Sequence, residues 1–393
     1  MQSTVRSGAL IAMLFVGFLV VVSGVHAGSR TAAAIETVPG MLPVTDPSNL
    51  YSETGPDKLS PAVTNVPARV YVPNVKSDEV HVIDPATLRV IDRFKVGRNP
   101  QHIVPSWDLK TLWVTNNAEG RTDGTLTPID PMTGKPGKEV VVDDPYNMYF
   151  TPDGKSAMIV AEAMKRLDFR DPKTMALQGS VSAPKCGGIN HADFSIDGTY
   201  VVMTCEYAGR LVKIDWRARK VLGYLTLPNR GIPQDVRVSP DGAMFYIADL
   251  RAGGIHLVDG DKFKLRAFIK TGVGTHGLYP SRDGTKLYVT NRGFSEIGGK
   301  PGVGHGSVAV VDFATQKIVA TWPIPGAGSP DMGNVSVDGK QLWLSGRYDR
   351  VVYIIDTTSG EVSKTIPVGQ EPHGLTVWPQ PGRYSLGHTG NMR

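Results

Sequence analysis

Along most of the chain, apolar residues come in runs of about five or six, a strand's length in globular proteins. Glycine, proline, aspartate and serine separate the runs. One stretch shows the repeating unit in full. DVRVS, from Asp235, leads into the turn SPDG, then AMFYIAD to Asp249, GIHLVD, the turn GDKFKL and RAFIKTG. These are four short strands. Apolar and polar positions alternate imperfectly within them, as expected of a sheet covered on both faces.

The unit recurs. The turn S/T-x-D-G appears at Asp153, Asp197, Asp241, Asp283 and Asp338, with a degenerate copy, SWDL, at Asp108; the spacings are 45, 44, 44, 42 and 55. A second mark is an apolar strand ending in Asp, at Asp84, Asp130, Asp215, Asp259, Asp312 and Asp356; the third unit keeps only the turn FRDP at Asp171. A period near 44 residues indicates a propeller or a solenoid, and four strands per unit favour the propeller. First strands of the units start near His102, Asn147, His191, Asp235, His276, Met332 and His373. The remaining three-strand sets start near Val70, Leu112, Ala157, Tyr200, Phe245, Leu287 and Leu342. The chain thus opens with three strands and closes with a spare one, His373 to Trp378. The expected fold is an all-β, seven-bladed β-propeller over 69–386, whose C-terminal strand completes the first blade and leaves no open sheet edge. Residues 387–393 read as a C-terminal tail.

Composition adds a leader to this picture. Arg6 precedes an apolar run from Ala9 to Val22 and the small-residue site Val25-His26-Ala27. That is the pattern of a secretory signal over 1–27; an uncleaved anchor is the alternative. Residues 28–68 carry six prolines and no clear period, and read as an extended leader. Beyond residue 27 there remain 41 Lys and Arg against 37 Asp and Glu, with no basic block. Such a balance argues against a nucleic-acid protein, although Trp113, Tyr207 and Tyr348 are aromatic groups able to stack on bases. The expected location is periplasmic or secreted, with no integral membrane segment after signal cleavage. P-loop, GxSxG, HExxH and CxxCH motifs are all lacking.

Leu287-Tyr288-Val289-Thr290-Asn291 carries the literal signature YVTN, with a close variant at Trp113-Val114-Thr115-Asn116 and a weaker one at Val72-Pro73-Asn74. In these residues the chain resembles the YVTN β-propeller repeat family, from roughly Ala68 to Gly382. The resemblance implies the fold and says little of activity, since propellers host many activities. The Asn is expected to serve a turn, where its side chain bonds backbone and tolerates left-handed geometry.

In a propeller the first strand of each blade lines the central channel. Four of its seven entries carry histidine: His102, His191, His276 and His373. The others offer Asn147, Asp235 and Asp331. Histidine is the commonest transition-metal ligand, so the four could hold copper, zinc or a haem iron; the alternative is a polar turn residue bonded to its neighbours. The ring is similar to nitrous-oxide reductase and related copper propellers, and more distantly to the haem domain of cytochrome nitrite reductase. It departs from both, having no run of paired histidines, no separate copper domain and one blade fewer than an eight-bladed haem domain. Arg251, Arg292 and Arg347, with Tyr348, follow the second strands on the same face. They suit a small anionic ligand, or else are solvated charges paired with Glu206 or Asp349. A Gly-rich insertion, Asn291 to Ser307, overhangs this face and carries His305; it reads as a lid or a neutral loop. Cys186 and Cys205 flank one hairpin and are expected to form a disulfide in an exported chain, soft-metal ligation beside His191 being the alternative.

Three functional readings follow. The first is an exported binding protein recognising a small ligand or a protein partner at the channel mouth. The second is a metal- or haem-dependent oxidoreductase built on the histidine cluster. The third is a lactonase or lyase.

Overall fold

The computed structural model describes residues 1–4, 34–298 and 305–393. Most of the predicted signal, the start of the leader and residues 299–304 of the insertion lie outside the described residues. Among the described residues no helix is long and apolar enough to cross a membrane.

Seven antiparallel sheets form a seven-bladed propeller. Blade 1 contains Arg69–Asn74, Glu79–Asp84 and Arg89–Lys95, and its innermost strand is Thr376–Trp378 from the far end of the chain. Val70 stands opposite Val377 in that pairing, so the expected closure is present. The other inner strands are Pro100–Pro105, Pro145–Phe150, Ile189–Phe194, Pro233–Val238, Thr275–Pro280 and Pro330–Val335, in blades 2 to 7. Seven hydrophobic clusters hold the ring, each drawn mainly from two adjacent blades; Val70, Val72 and Ile83 of blade 1, for example, pack with Trp343, Val352 and Ile354 of blade 7. Every blade therefore has a core on each face, which explains the weak alternation in its inner strands. Only the outermost strands show an exposed face, as in Arg89–Lys95.

The two recurring sequence marks have distinct jobs. In each S/T-x-D-G turn the hydroxyl donates to the Asp Oδ1, at 2.5–2.7 Å, and the Gly takes a positive φ. The degenerate SWDL copy makes the same bond at 2.7 Å, with Leu109 in the left-handed position. The Thr of YVTN ties neighbouring blades together. Thr290 Oγ1 accepts the Gly277 N–H of its own blade at 2.7 Å and donates to the Asp331 carbonyl of the next at 2.9 Å. Thr115 and Ser345 do the same towards the Tyr146 and His373 carbonyls. The Asn differs from expectation: Asn116 and Asn291 end strands with negative φ, and their amides bond threonine hydroxyls at 2.9–3.0 Å instead of forming a left-handed turn.

Two segments close the channel from the S/T-x-D-G side. Residues 38–58 run across that face, where Val38 N–H donates to the Asp197 carbonyl and Leu50 N–H to that of Pro240. The second segment is a hairpin inside the ring. Tyr384 to Arg393 folds back on itself, with Leu386 N–H donating to Asn391 O and Arg393 N–H to Tyr384 O. It adds to the inner strand of blade 3 through Phe150 N–H to Leu386 O and His388 N–H to Met148 O, at 3.0 and 2.8 Å. Residues 387–393, read from sequence as a tail, are thus almost entirely buried. Gly387 is required there, because a Cβ would stand 2.4 Å from the Tyr149 Cα. Arg393 anchors the base on Asp193 at 2.5 Å.

Cys186 and Cys205 are joined, with Cα atoms 4.7 Å apart and a sequence separation of 19. A loop of that size restricts the unfolded chain by about 3 kcal/mol. The double variant Cys186→Ala/Cys205→Ala is expected to lose about that much in urea denaturation, and an unchanged midpoint would contradict it. Leu386 is buried in the hairpin, and Leu386→Ala should cost about 3 kcal/mol. The exposed Leu177 provides the control: Leu177→Ala should stay within about 0.5 kcal/mol. Equal effects would mean that the hairpin does not pack in solution.

Candidate functional site at the channel mouth

The inner strands begin at the mouth, so their first residues share one level. His102, His191, His276 and His373 meet there and are buried. Ring centroids are 4.8 Å apart for His102 and His373, 5.4 Å for His102 and His191, and 5.9 Å for His276 and His373. A fifth imidazole, His388, rises on the tip of the hairpin to 5.1 Å from His102 and 4.9 Å from His191. Sequence reasoning missed it because it lies beyond the repeat; the flanking glycines of GHTG were the available signal.

The imidazoles form two groups. His102, His191 and His388 each offer a ring nitrogen within 4.8 Å of the others, and so do His276 and His373 with a carboxylate oxygen of Asp331. Burial pushes all five rings well below their ordinary pKa, so they are neutral at pH 7. His102 Nδ1 donates to the Tyr146 carbonyl at 3.0 Å, which leaves its Nε2 as a lone pair without a partner. His388 differs. Asn147 Nδ2 donates to its Nδ1 at 2.9 Å and stands 3.3 Å from His191 Nδ1. Asn147 Oδ1 accepts from Met148 N–H at 2.8 Å, which fixes that amide. A neutral His388 then carries its proton on Nε2, 3.7 Å from Asp235 Oδ1. Asp235 is itself paired with Arg237 at 2.8 Å.

The arginines divide. Arg292 grips Asp331 Oδ1 through Nε and Nη2 at 2.7 and 2.6 Å. Arg347 bonds Glu371 at 3.3 Å and lies 3.9 Å from Asp331. Burial pushes the Asp331 carboxyl up, and these two guanidinium groups pull it back. Arg251 stands apart on an exposed loop, paired with Glu296 at 2.8 Å. His305, in the insertion, is exposed.

Above this floor lies a cleft of about 790 Å³, open to solvent. Tyr146, Tyr207 and Tyr348 line it, as do Arg292, Arg347 and His276. So do groups that the sequence did not single out: Gln101, Asn117, Glu162 and Gln234, together with Glu206, considered there only as a partner for arginine. Burial, with the Glu206 charge added, pushes the Glu162 carboxyl well above the usual carboxylate range. Asp144, beside it, is pushed up to about 6, chiefly by burial.

No curated protein matches the sequence. Among solved structures, the chain is similar to Kuenenia stuttgartiensis hydrazine synthase, with 18% identity and a TM-score of 0.59 over 72% of this chain and 91% of that one. It is similar to the dihydro-heme d1 dehydrogenase NirN in complex with DHE, with 16% identity and a TM-score of 0.57 over 82% and 77%. A candidate 6-phosphogluconolactonase from Bacteroides uniformis gives 18% and 0.62 over 79% and 99%. At these identities the likeness is one of fold. The sequence family described as YNCE-like beta-propeller matches residues 27–381. Together with the seven-bladed ring, that match places the chain in the YNCE-like β-propeller family.

Proposed function

We propose that this is an exported binding protein that takes a small molecule into the mouth of the propeller. The observation that carries the reading is the cleft of about 790 Å³, within the size range of small-molecule sites, walled by buried polar side chains that lack partners. Buried acceptors without donors are costly in a finished fold, and they are expected where a ligand completes the bonding. The disulfide and the signal-like N-terminus support an oxidising compartment. A protein partner would meet the same rim, but the concave shape favours a small molecule.

Metal-dependent chemistry is the second reading, favoured by the three neutral imidazoles of His102, His191 and His388. Two features rank it below ligand binding. Asn147 already holds a ring nitrogen of His388, and Arg292 already neutralises Asp331. A metal ion must displace the one or offset the other. Lactonase or lyase chemistry has no residue-level support beyond the fold.

The ligand reading is checked by thermal unfolding with the small-molecule fraction of a periplasmic extract. A ligand at ten times its Kd adds about 1.4 kcal/mol, or roughly 2 °C in a chain of this size. Ala163 is exposed on the cleft wall, so Ala163→Trp should abolish the rise and leave the basal Tm within about 1 °C. An equal rise in both proteins would place binding elsewhere. The metal reading predicts stoichiometric copper, zinc or iron by elemental analysis of exported protein, lost in His102→Ala/His388→Ala with the far-ultraviolet spectrum retained. Metal-free native protein would remove it.

A further inference from the structure

The charges around the cleft do not cancel. Lys76 pairs with Glu119, Arg292 with Asp331 and Arg347 with Glu371. Once these are set aside, Asp144, Glu162, Glu206 and Lys165 remain, three carboxyl groups against one ammonium; Lys165 is exposed, whereas Glu162 and Glu206 are buried and neither makes an ion pair among the described residues. Both are at least nine-tenths buried, at 9% and 7% exposure. Glu206 accepts from Asn190 Nδ2 at 2.7 Å and from Gln234 Nε2 at 2.9 Å, which are neutral donors only. Glu162 Oε1 accepts from nothing.

The neutral groups of the wall lean the same way. Gln101 spends its amide N–H on Glu119 at 3.0 Å, and Asn117 turns its amide towards Asp144 at 3.4 Å. Each amide is oriented by a carboxylate, so each presents its oxygen elsewhere. Gln101 Oε1 and Asn117 Oδ1 are both buried without a donor. All three unpartnered side-chain oxygens among the described lining residues are therefore acceptors. The one unpartnered nitrogen among them, His276 Nδ1, already lies 3.0 Å from Asp331. A site whose unpartnered buried oxygens are all acceptors, beside two carboxyl groups that repel one another when both are charged, calls for a ligand with several N–H groups and a positive charge.

We propose that the mouth cleft recognises a small organic ammonium ion, with Glu162 and Glu206 facing its charge and Gln101 and Asn117 accepting its remaining N–H groups. Tyr146 and Tyr207 line the same wall, and aromatic rings attract such cations. A bare divalent ion fits less well, since Glu162 and Glu206 belong to no trio of carboxylate or imidazole atoms at metal-ligating spacing among the described residues. The inference rests on the ligand-binding reading and gives it a substrate class. It reverses the sign expected from the arginines, because Arg292 and Arg347 are already matched by Asp331 and Glu371.

Titration calorimetry and thermal unfolding of the exported chain separate the two claims. The probes are methylammonium, putrescine and tetramethylammonium, with acetate and phosphate as the opposing set. The ammonium probes should bind and raise the Tm, and a primary amine should outbind tetramethylammonium, which has no N–H to give. Glu162→Gln, which keeps the shape and removes the charge, should weaken the best amine about ten- to hundredfold. Glu206→Gln should act likewise, and both variants should keep the wild-type spectrum and unfolding cooperativity. The same result after chelator treatment shows that no metal ion mediates it. If acetate or phosphate binds instead and Arg347→Ala abolishes that binding, the substrate class is overturned while the ligand-binding reading stands. If amines bind equally to wild type and both Gln variants, the assignment to Glu162 and Glu206 fails. If neither set of probes binds, the ammonium proposal fails, and the extract experiment alone decides the broader reading.

Discussion

The structure depends on how the centre of the ring is filled. Seven inner strands around an axis leave a channel, and water in that channel would leave the inner faces of the blades half solvated. Here the Tyr384–Arg393 hairpin occupies it, bonded to the inner strand of blade 3 and anchored by Arg393 on Asp193. Tyr384 and Leu386 join the core between blades 3 and 4. Burying the hairpin also buries the polar groups around it, and these find most of their partners inside: Asn147 with His388, Gln380 with Asn334, Arg237 with Asp235. The mouth is where this pairing stops, and unmatched acceptors gather at that level.

The ring itself was readable from local signals. Each S/T-x-D-G turn closes its own hydroxyl–carboxylate bond, so four residues suffice to recognise it wherever it falls. The count of inner strands against outer sets then gave both the number of blades and the closure on Thr376–Trp378. The level of the histidines followed from the same register, since a repeat places equivalent residues at equivalent heights. Even the latch at Thr290 belongs to the repeat, though its bond to the next blade could not be seen in one unit.

What escaped the sequence was everything set by contacts between units far apart in the chain. His388 lies outside the repeat, so no periodicity points to it; only the fold brings it 241 residues back to Asn147. The sequence offered Glu206 or Asp349 as partners for the arginines, whereas Arg292 and Arg347 pair with Asp331 and Glu371, which come from different strands and loops. Glu162 and Glu206 looked ordinary because burial, not identity, sets their character. A repeat pattern fixes height around a ring; it does not fix which charges cancel across it.

Residues 38–58 cross one face, and the hairpin stops the channel from the same side. Among the described residues the propeller is therefore stopped on that face, and its channel opens at the mouth. Whatever reaches the imidazoles must come and go over a single rim, past Tyr207 and Tyr348, so a large body seated on that rim would cork the protein without touching its floor.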